Sequence, residues 1–171
     1  MKRINFINFK SEYGDTDATI TKTRMEITQE AAITVVKGTS GIRLGLMRFD
    51  SNSSGGFVDI AVDDIENVRA SFKDKVNDYL AWGGTPLSES FYEAAMYYRG
   101  DYPEYGASSN SQVLKSGKTI IRDDDGFIDW GKNWNTTENK STPSVSASKS
   151  GSKYLSPINS ACQKTSSLIL F

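Results

Sequence analysis

Ile42-Arg43-Leu44-Gly45-Leu46-Met47-Arg48-Phe49 is the stretch on which the fold turns. Ile42, Leu44 and Leu46 alternate with Arg43 and Gly45, the two-residue period of a strand, and Met47 and Phe49 extend the apolar character. The segment after it, Asp50-Ser51-Asn52-Ser53-Ser54-Gly55-Gly56, is turn chemistry throughout. Phe57-Val58-Asp59-Ile60-Ala61-Val62 then reads as a second strand. Two strands joined by so short a polar turn predict an antiparallel hairpin.

Helical patterns lie on both sides of that hairpin. Residues 23–37 place Met25, Ile27, Ala31, Ala32, Val35 and Val36 mostly at three- and four-residue spacings. Thr23 with Glu26 three residues later is a capping-box pattern, and Gly38 stands where a C′ residue belongs. Downstream, Asp63 or Asp64 can cap a helix running to about Leu80, with Ile65, Val68, Phe72, Val76, Tyr79 and Leu80 as its apolar face. After Trp82-Gly83-Gly84, Thr85 occupies an N-cap position with Pro86 as the first helical residue. That helix continues through Phe91, Tyr92, Ala95 and Met96 to Gly100.

From 101 to about 160 the character changes to Ser, Asn, Gly, Lys and Thr. We read this as a long surface insertion, partly mobile, with 141–152 close to low complexity. A small hairpin between 113–121 and 126–130 is expected inside it. Thr165-Ser166-Ser167-Leu168-Ile169-Leu170-Phe171 reads as a buried strand, expected to run parallel to the stretch at 42–49. The order helix, strand, strand, helix, helix, insertion, strand is an α/β layout within a single domain, 1–171.

Composition narrows the function. The 171 residues are 37% hydrophobic and 24% charged, as in a globular protein. Lys plus Arg is 20 against 21 for Asp plus Glu, so the basic excess of a nucleic-acid binder is missing. No apolar run approaches a membrane-spanning length. After Met1-Lys2-Arg3, Asn5 and Asn8 break a run too short for a secretory h-region, so the chain reads as carrying no export signal. There is one cysteine, Cys162, and no histidine. That excludes an internal disulfide, a Ser-His-Asp or Cys-His site, and a zinc site of the usual ligands. With no nucleophile elbow or P-loop either, an enzyme is not expected.

Three segments resemble one family. Arg24-Met25-Glu26 with Ala31-Ala32 and then Gly41 to Phe49 resemble the first helix and second strand of the von Willebrand factor A (vWA) domains of the PilY/PilC type IV pilus tip adhesins. Gly83-Gly84-Thr85-Pro86-Leu87 and the following Ser88 to Ala94 resemble the family's Gly-Gly-Thr-Pro-Leu loop and helix. Tyr154-Leu155-Ser156-Pro157-Ile158, Cys162-Gln163-Lys164 and the terminal apolar strand resemble the segment leading into its fourth strand. The resemblance implies a doubly wound, Rossmann-like, mostly parallel sheet flanked by helices. It implies a non-enzymatic adhesion or assembly module that meets a protein ligand or pilus components, at the cell surface, pilus tip or outer membrane in the full-length parent. An intracellular vWA scaffold for protein-complex assembly is the alternative. In the family's order the first strand lies between the second and the fourth. Residues 1–9 must fill that slot here, or the sheet has a gap.

The family's metal-ion-dependent adhesion site holds Mg²⁺ or Ca²⁺ with an Asp-x-Ser-x-Ser turn, a threonine and a later aspartate. Thr85 matches the threonine. No Asp-x-Ser-x-Ser occurs, Asp15-Thr16-Asp17-Ala18-Thr19 reads as the nearest echo of it, and the chain stops where the family continues into its Thr-Asp-Gly turn. This is therefore expected to be an interior or truncated piece that binds metal weakly or not at all. Thr85 also reads as a plain N-cap. Asp123-Asp124-Asp125-Gly126 with Asp129 hints at calcium, but an EF-hand register puts Ile121 and Lys132 at ligand positions, so a solvated acidic turn is the default. Tyr92, Tyr97, Tyr98, Tyr102 and Tyr105 read as packing or as an exposed aromatic contact surface. Cys162 reads as buried, or disulfide-paired in a longer parent.

Overall fold

In the computed structural model, which describes residues 22–121, 129–158 and 166–170, helix α1 spans Arg24–Gly38. Its start follows from the reciprocal cap expected of its sequence. Thr23 Oγ1 accepts from the Glu26 N–H at 3.2 Å, and Glu26 Oε2 accepts from the Thr23 N–H at 2.7 Å. Its end differs from expectation. Gly38 is the last helical residue, and Thr39, in extended backbone, is the C-cap. The Thr39 hydroxyl donates to Val35 O at 2.7 Å, which serves one of the orphan carbonyls without a left-handed glycine.

Strands β1 (Arg43–Phe49) and β2 (Gly56–Asp64) form the expected antiparallel hairpin. The register carries more than the periodicity foresaw. Leu46 faces Ile60 while Met47 faces Val58, so Asp59 is an extra residue on β2, and a second irregularity lies between Leu44 and Leu46. These bulges re-aim the side chains of β2. Ile60 joins Leu44 and Leu46 in one core, whereas Val58 and Val62 join Met47 in another.

Strand β7 (Ser166–Leu170) runs parallel to β1, from Arg43 opposite Ser166 to Met47 opposite Leu170, giving the order β2-β1-β7. The parallel direction is as expected; the slot between these strands is not. They are hydrogen-bonded neighbours, so β7 itself serves the N–H and C=O groups along that edge of β1. Residues 1–9 lie outside the described residues.

Helices cover both faces. On one, α1 and α2 (Ile65–Asp78) bury Val36, Ile65, Val68, Phe72 and Val76 against Leu44, Leu46 and Ile60. On the other, α3 (Leu87–Arg99) sets Met96 and Tyr97 against Met47, Val58 and Val62. The described residues thus form a mixed α/β arrangement whose main sheet has one antiparallel and one parallel pair. Among them, no helix is long and apolar enough to cross a membrane.

The segment after α3 builds two small hairpins. Strand β3 (Asn110–Leu114) pairs with β4 (Thr137–Ser141), and β5 (Lys149–Ser150) with β6 (Lys153–Tyr154); a short helix, α4, spans Trp130–Asn133. The hairpin expected between 113–121 and 126–130 is therefore corrected. The partner strand, Thr-Glu-Asn-Lys-Ser, has no apolar alternation to announce it, and 126–128 lie outside the described residues. The serine-rich stretch at 141–152 makes specific contacts. Ser144 and Ser148 are buried, Val58 N–H donates to Ser144 Oγ at 3.0 Å, and Val145 N–H donates to Val58 O at 2.9 Å. These bonds cover the outer edge of β2.

One buried acid ties this segment to α3. Glu93 is fully buried; its Oε2 accepts from the N–H groups of Glu104 (3.1 Å) and Tyr105 (2.8 Å), and its Oε1 accepts from the Tyr154 hydroxyl (2.5 Å). Because Tyr154 donates to the carboxylate, the Ser144 hydroxyl, 2.6 Å away, donates to Tyr154. Gly106 completes the packing, since a Cβ there would lie 2.3–2.6 Å from Ser144 Oγ, Tyr154 Oη and Glu93 Oε1. Burial, and then the bond to Glu93, push the Tyr154 hydroxyl pKa well above its ordinary value.

Candidate functional site

The parallel strands β1 and β7 end on the same side of the sheet, where the carboxyl ends of strands in open α/β folds commonly gather binding loops. The turn at 50–55 leaves β1 there. Helix α2 starts where the antiparallel β2 ends, so its own end returns the chain to this side, and 79–86 meets the turn.

Two glycines make the meeting close. Gly83 has φ +88°, and a Cβ on it would lie 2.7 Å from Ser51 O. Only glycine combines that backbone with that approach. Gly84 N–H donates to Ser53 Oγ at 2.7 Å. Pro86 follows with φ −74° and ψ 72°, and Leu87 N–H donates to Thr85 O at 2.8 Å. That is an inverse γ-turn. It delays α3 by one residue and corrects the expected cap: Pro86, not Thr85, holds the N-cap position, with no side-chain bond. Thr85 is left exposed, its hydroxyl unengaged among the described residues.

The insertion holds the turn from the other side. Ser51 N–H donates to Asn110 O at 2.9 Å, Ser51 Oγ to Asn139 Oδ1 at 2.7 Å, and Asn139 Nδ2 to Asn52 Oδ1 at 2.9 Å. Asp50 is fully buried beneath it. Its Oδ1 accepts from Asn52 N–H (2.6 Å) and Ser54 Oγ (3.1 Å), and its Oδ2 from Asn110 N–H. Asp50-Ser51-Asn52-Ser53-Ser54 departs from the Asp-x-Ser-x-Ser pattern only at Asn52. The sequence reading missed it by treating the whole segment as a turn. Here that carboxylate serves as a keystone for the loop.

This donor set does not fit Mg²⁺ or Ca²⁺. Both Asp50 oxygens are committed to N–H and O–H donors, and Thr85 offers one neutral hydroxyl where a hard divalent cation wants several oxygens including carboxylates. Among the described residues no three Asp, Glu or Cys side chains gather as a metal site. Asp15, Asp17 and the 123–125 aspartates lie outside the described residues. Asp129 caps α4: its Oδ1 accepts from Lys132 N–H at 3.1 Å and its Oδ2 pairs with Lys132 Nζ at 3.0 Å, both of which hold its pKa below the ordinary carboxylate value.

Beside the Gly83–Gly84 loop lies a cleft of about 330 Å³, whose lining includes Met25, Arg48, Phe49, Tyr79, Trp82 and Thr85. Arg48 comes from the end of β1 and lays its guanidinium over the Tyr79 ring, 4.2 Å from the centroid. The Tyr79 hydroxyl donates to Asp59 Oδ2 at 2.5 Å, and Lys75 ion-pairs with the other oxygen. The bulge on β2 is what turns Asp59 toward α2. Burial lowers the Arg48 pKa, partly opposed by Tyr79 and Asp59, while burial and then Asp59 raise that of Tyr79 far above its usual value. Trp134 of the insertion packs against Trp82 at the rim, ring centroids 5.4 Å apart and planes tilted by 45°. A neighbouring cleft of about 490 Å³ carries Glu26 and Asp78 and no cationic side chain.

The sequence reading placed Tyr79 on the apolar face of the second helix, whereas it is the residue that caps α2, and it gave Arg48 and Asp59 no role beyond their strands. The signal was a charged residue inside each strand, Arg48 and Asp59, at places where a core face was expected. The tyrosines divide. Tyr97 is core and accepts from Val62 N–H at 2.8 Å, whereas Tyr92 and Tyr102 are about half exposed. Cys162 lies outside the described residues. Set against models of protein families, curated proteins and solved structures, the chain matches none.

Proposed function

We propose that this chain is a non-catalytic protein-binding module of vWA type, part of a type IV pilus tip-associated protein, with the loop cluster after β1 as its binding face. The observation that carries the reading is the closure of the Gly83-Gly84-Thr85 loop onto the Ser51–Ser53 turn at the carboxyl end of the parallel pair. A glycine locked at φ +88° and an exposed threonine after it suit a presented loop rather than a core connection. The larger doubly wound sheet of that family is part of the proposal, as are surface localisation and attachment through a protein ligand or pilus components. The direct pairing of β1 with β7 departs from the family's order, and Mg²⁺ or Ca²⁺ has no part in binding by the described residues.

Immunodetection in fractionated cells tests the reading. The full-length parent is expected in the sheared pilus or outer-membrane fraction, and deleting its gene is expected to reduce piliation seen by electron microscopy. Recovery in the cytosol with normal pili overturns it and favours the intracellular scaffold.

A further inference from the structure

We propose that Arg48 is the anchor of a direct, metal-independent site for a peptide carboxylate, an Asp or Glu side chain with an apolar neighbour, in the cleft beside Gly83 and Gly84. The inference rests on the loop cluster being a binding face and adds the chemistry of its ligand.

Among the described residues no carboxylate pairs with Arg48. The guanidinium makes no hydrogen bond or ion pair among the described residues; its one described partner is the Tyr79 ring face. The carboxylate nearest in the network, Asp59, is already engaged by Lys75 on one oxygen and by the Tyr79 hydroxyl on the other. Lys75 and Arg48 against Asp59 leave one positive charge over. A half-buried guanidinium stacked on a ring keeps its N–H fork in plane and available. Burial that lowers hydration without supplying an acceptor leaves room for a ligand to supply it.

The walls select among anions. A single cation suits a monoanion; a phosphate dianion calls for more positive charge than the cleft holds. The planar fork matches a carboxylate in two parallel N–H···O bonds. Met25, Phe49, Leu80 and Trp82 supply apolar surface beside it. At the open side the Thr85 hydroxyl is unengaged among the described residues, and Trp134 beside Trp82 extends an aromatic rim. Chain-wide attraction cannot substitute, because the net charge is −1.

Titration of the ¹⁵N-labelled full chain with N-acetyl-Leu-Glu-amide, and with its Gln counterpart, tests this by NMR. The Glu peptide is expected to shift the Gly83, Gly84 and Thr85 amides and the Arg48 side-chain N–H signals, and to bind roughly ten-fold more tightly than the Gln peptide, the scale of one charge-assisted pair. Chelator is expected to change nothing. Arg48→Met abolishes the preference and Arg48→Lys, which keeps the charge without the fork, weakens it; the Glu-to-Gln comparison on the unaltered chain holds even if a variant misfolds. Equal binding of both peptides, or no shift with either at tens of millimolar, overturns the Arg48 site. Glu binding lost on chelation and restored by Mg²⁺ overturns it as well, while leaving the adhesion reading intact. A parent found in the cytosol with a working Arg48 site fails the pilus reading alone.

Discussion

Two carboxylates are buried on opposite faces of one small sheet, and they are stabilised by different means. Asp59, under α2, meets a cation: Lys75 reaches it with a side chain 40% exposed, and Tyr79 donates to its other oxygen. Glu93, on the α3 face, meets no cation among the described residues and is held by one phenol and two backbone N–H groups. The first arrangement balances charge with a group that can turn back into water. The second balances it with dipoles fixed by the fold, drawn from the segment at 104–105 and from β6. Losing it leaves those donors nothing to rehydrate with. The α3 face is thus the less forgiving one, although its segment at 141–152 has the simpler sequence.

The largest expected effect is at Glu93. Glu93→Ala should cost about 3–5 kcal/mol in urea unfolding, because it leaves one phenol and two backbone N–H donors unsatisfied in the interior at about 1–3 kcal/mol each. Lys75→Met should cost about 1–3 kcal/mol, because Asp59 keeps the Tyr79 bond and the cation it loses is itself partly hydrated. Equal losses in the two variants would break the comparison.

Alkaline pH gives a smaller effect of known sign. Tyr79 and Tyr154 are both raised by burial and by the carboxylate each one serves. Above about pH 10 the unfolded chain releases these protons while the folded one keeps them. The unfolded state then binds fewer protons, so stability falls as pH rises, by up to about 1.4 kcal/mol per pH unit for each tyrosine. Below that pH both contributions are fully present. Tyr79→Phe and Tyr154→Phe should each flatten the alkaline limb of a stability–pH curve, and an unchanged slope would separate these rings from the effect.

The smallest effect is expected at Ser90, buried on the α3 face with a hydroxyl that has no partner among the described residues. Ser90→Ala should fall within about 0.5 kcal/mol of the parent or stabilise it, as removing an unsatisfied polar group allows. A thermal melt lowered by several degrees would reveal a partner for that hydroxyl and sharpen the account of this face.

The hairpin, the capping box at Thr23 and the apolar face of α2 were legible because periodicity and capping act over a few residues. The bulge at Asp59 was not, since it depends on which residue of β1 faces which of β2. Strand β4 was invisible to a hydrophobic pattern because Thr137, Glu138, Asn139, Lys140 and Ser141 carry none. At the candidate site the Gly-Gly-Thr-Pro block marked a loop that closes onto the Ser51–Ser53 turn. The N-cap role given to Thr85 failed because Pro86 takes a γ-turn that sequence alone does not specify. Arg48 and Glu93 were hidden for the same reason: their partners come from distant segments, Tyr79 in one case and Glu104, Tyr105 and Tyr154 in the other.

The pairing of Arg43 with Ser166 has a consequence for how the chain is made. On the ribosome, β1 emerges early and can close its hairpin with β2 at once. Its other edge must then wait through the synthesis of α2, α3 and both small hairpins before β7 appears. During that interval a row of N–H and C=O groups stands open to any passing strand. Correct folding is therefore a race between translation and mispairing. Slowing elongation after α3, or withholding chaperones during synthesis, should lower the soluble yield without altering the finished protein.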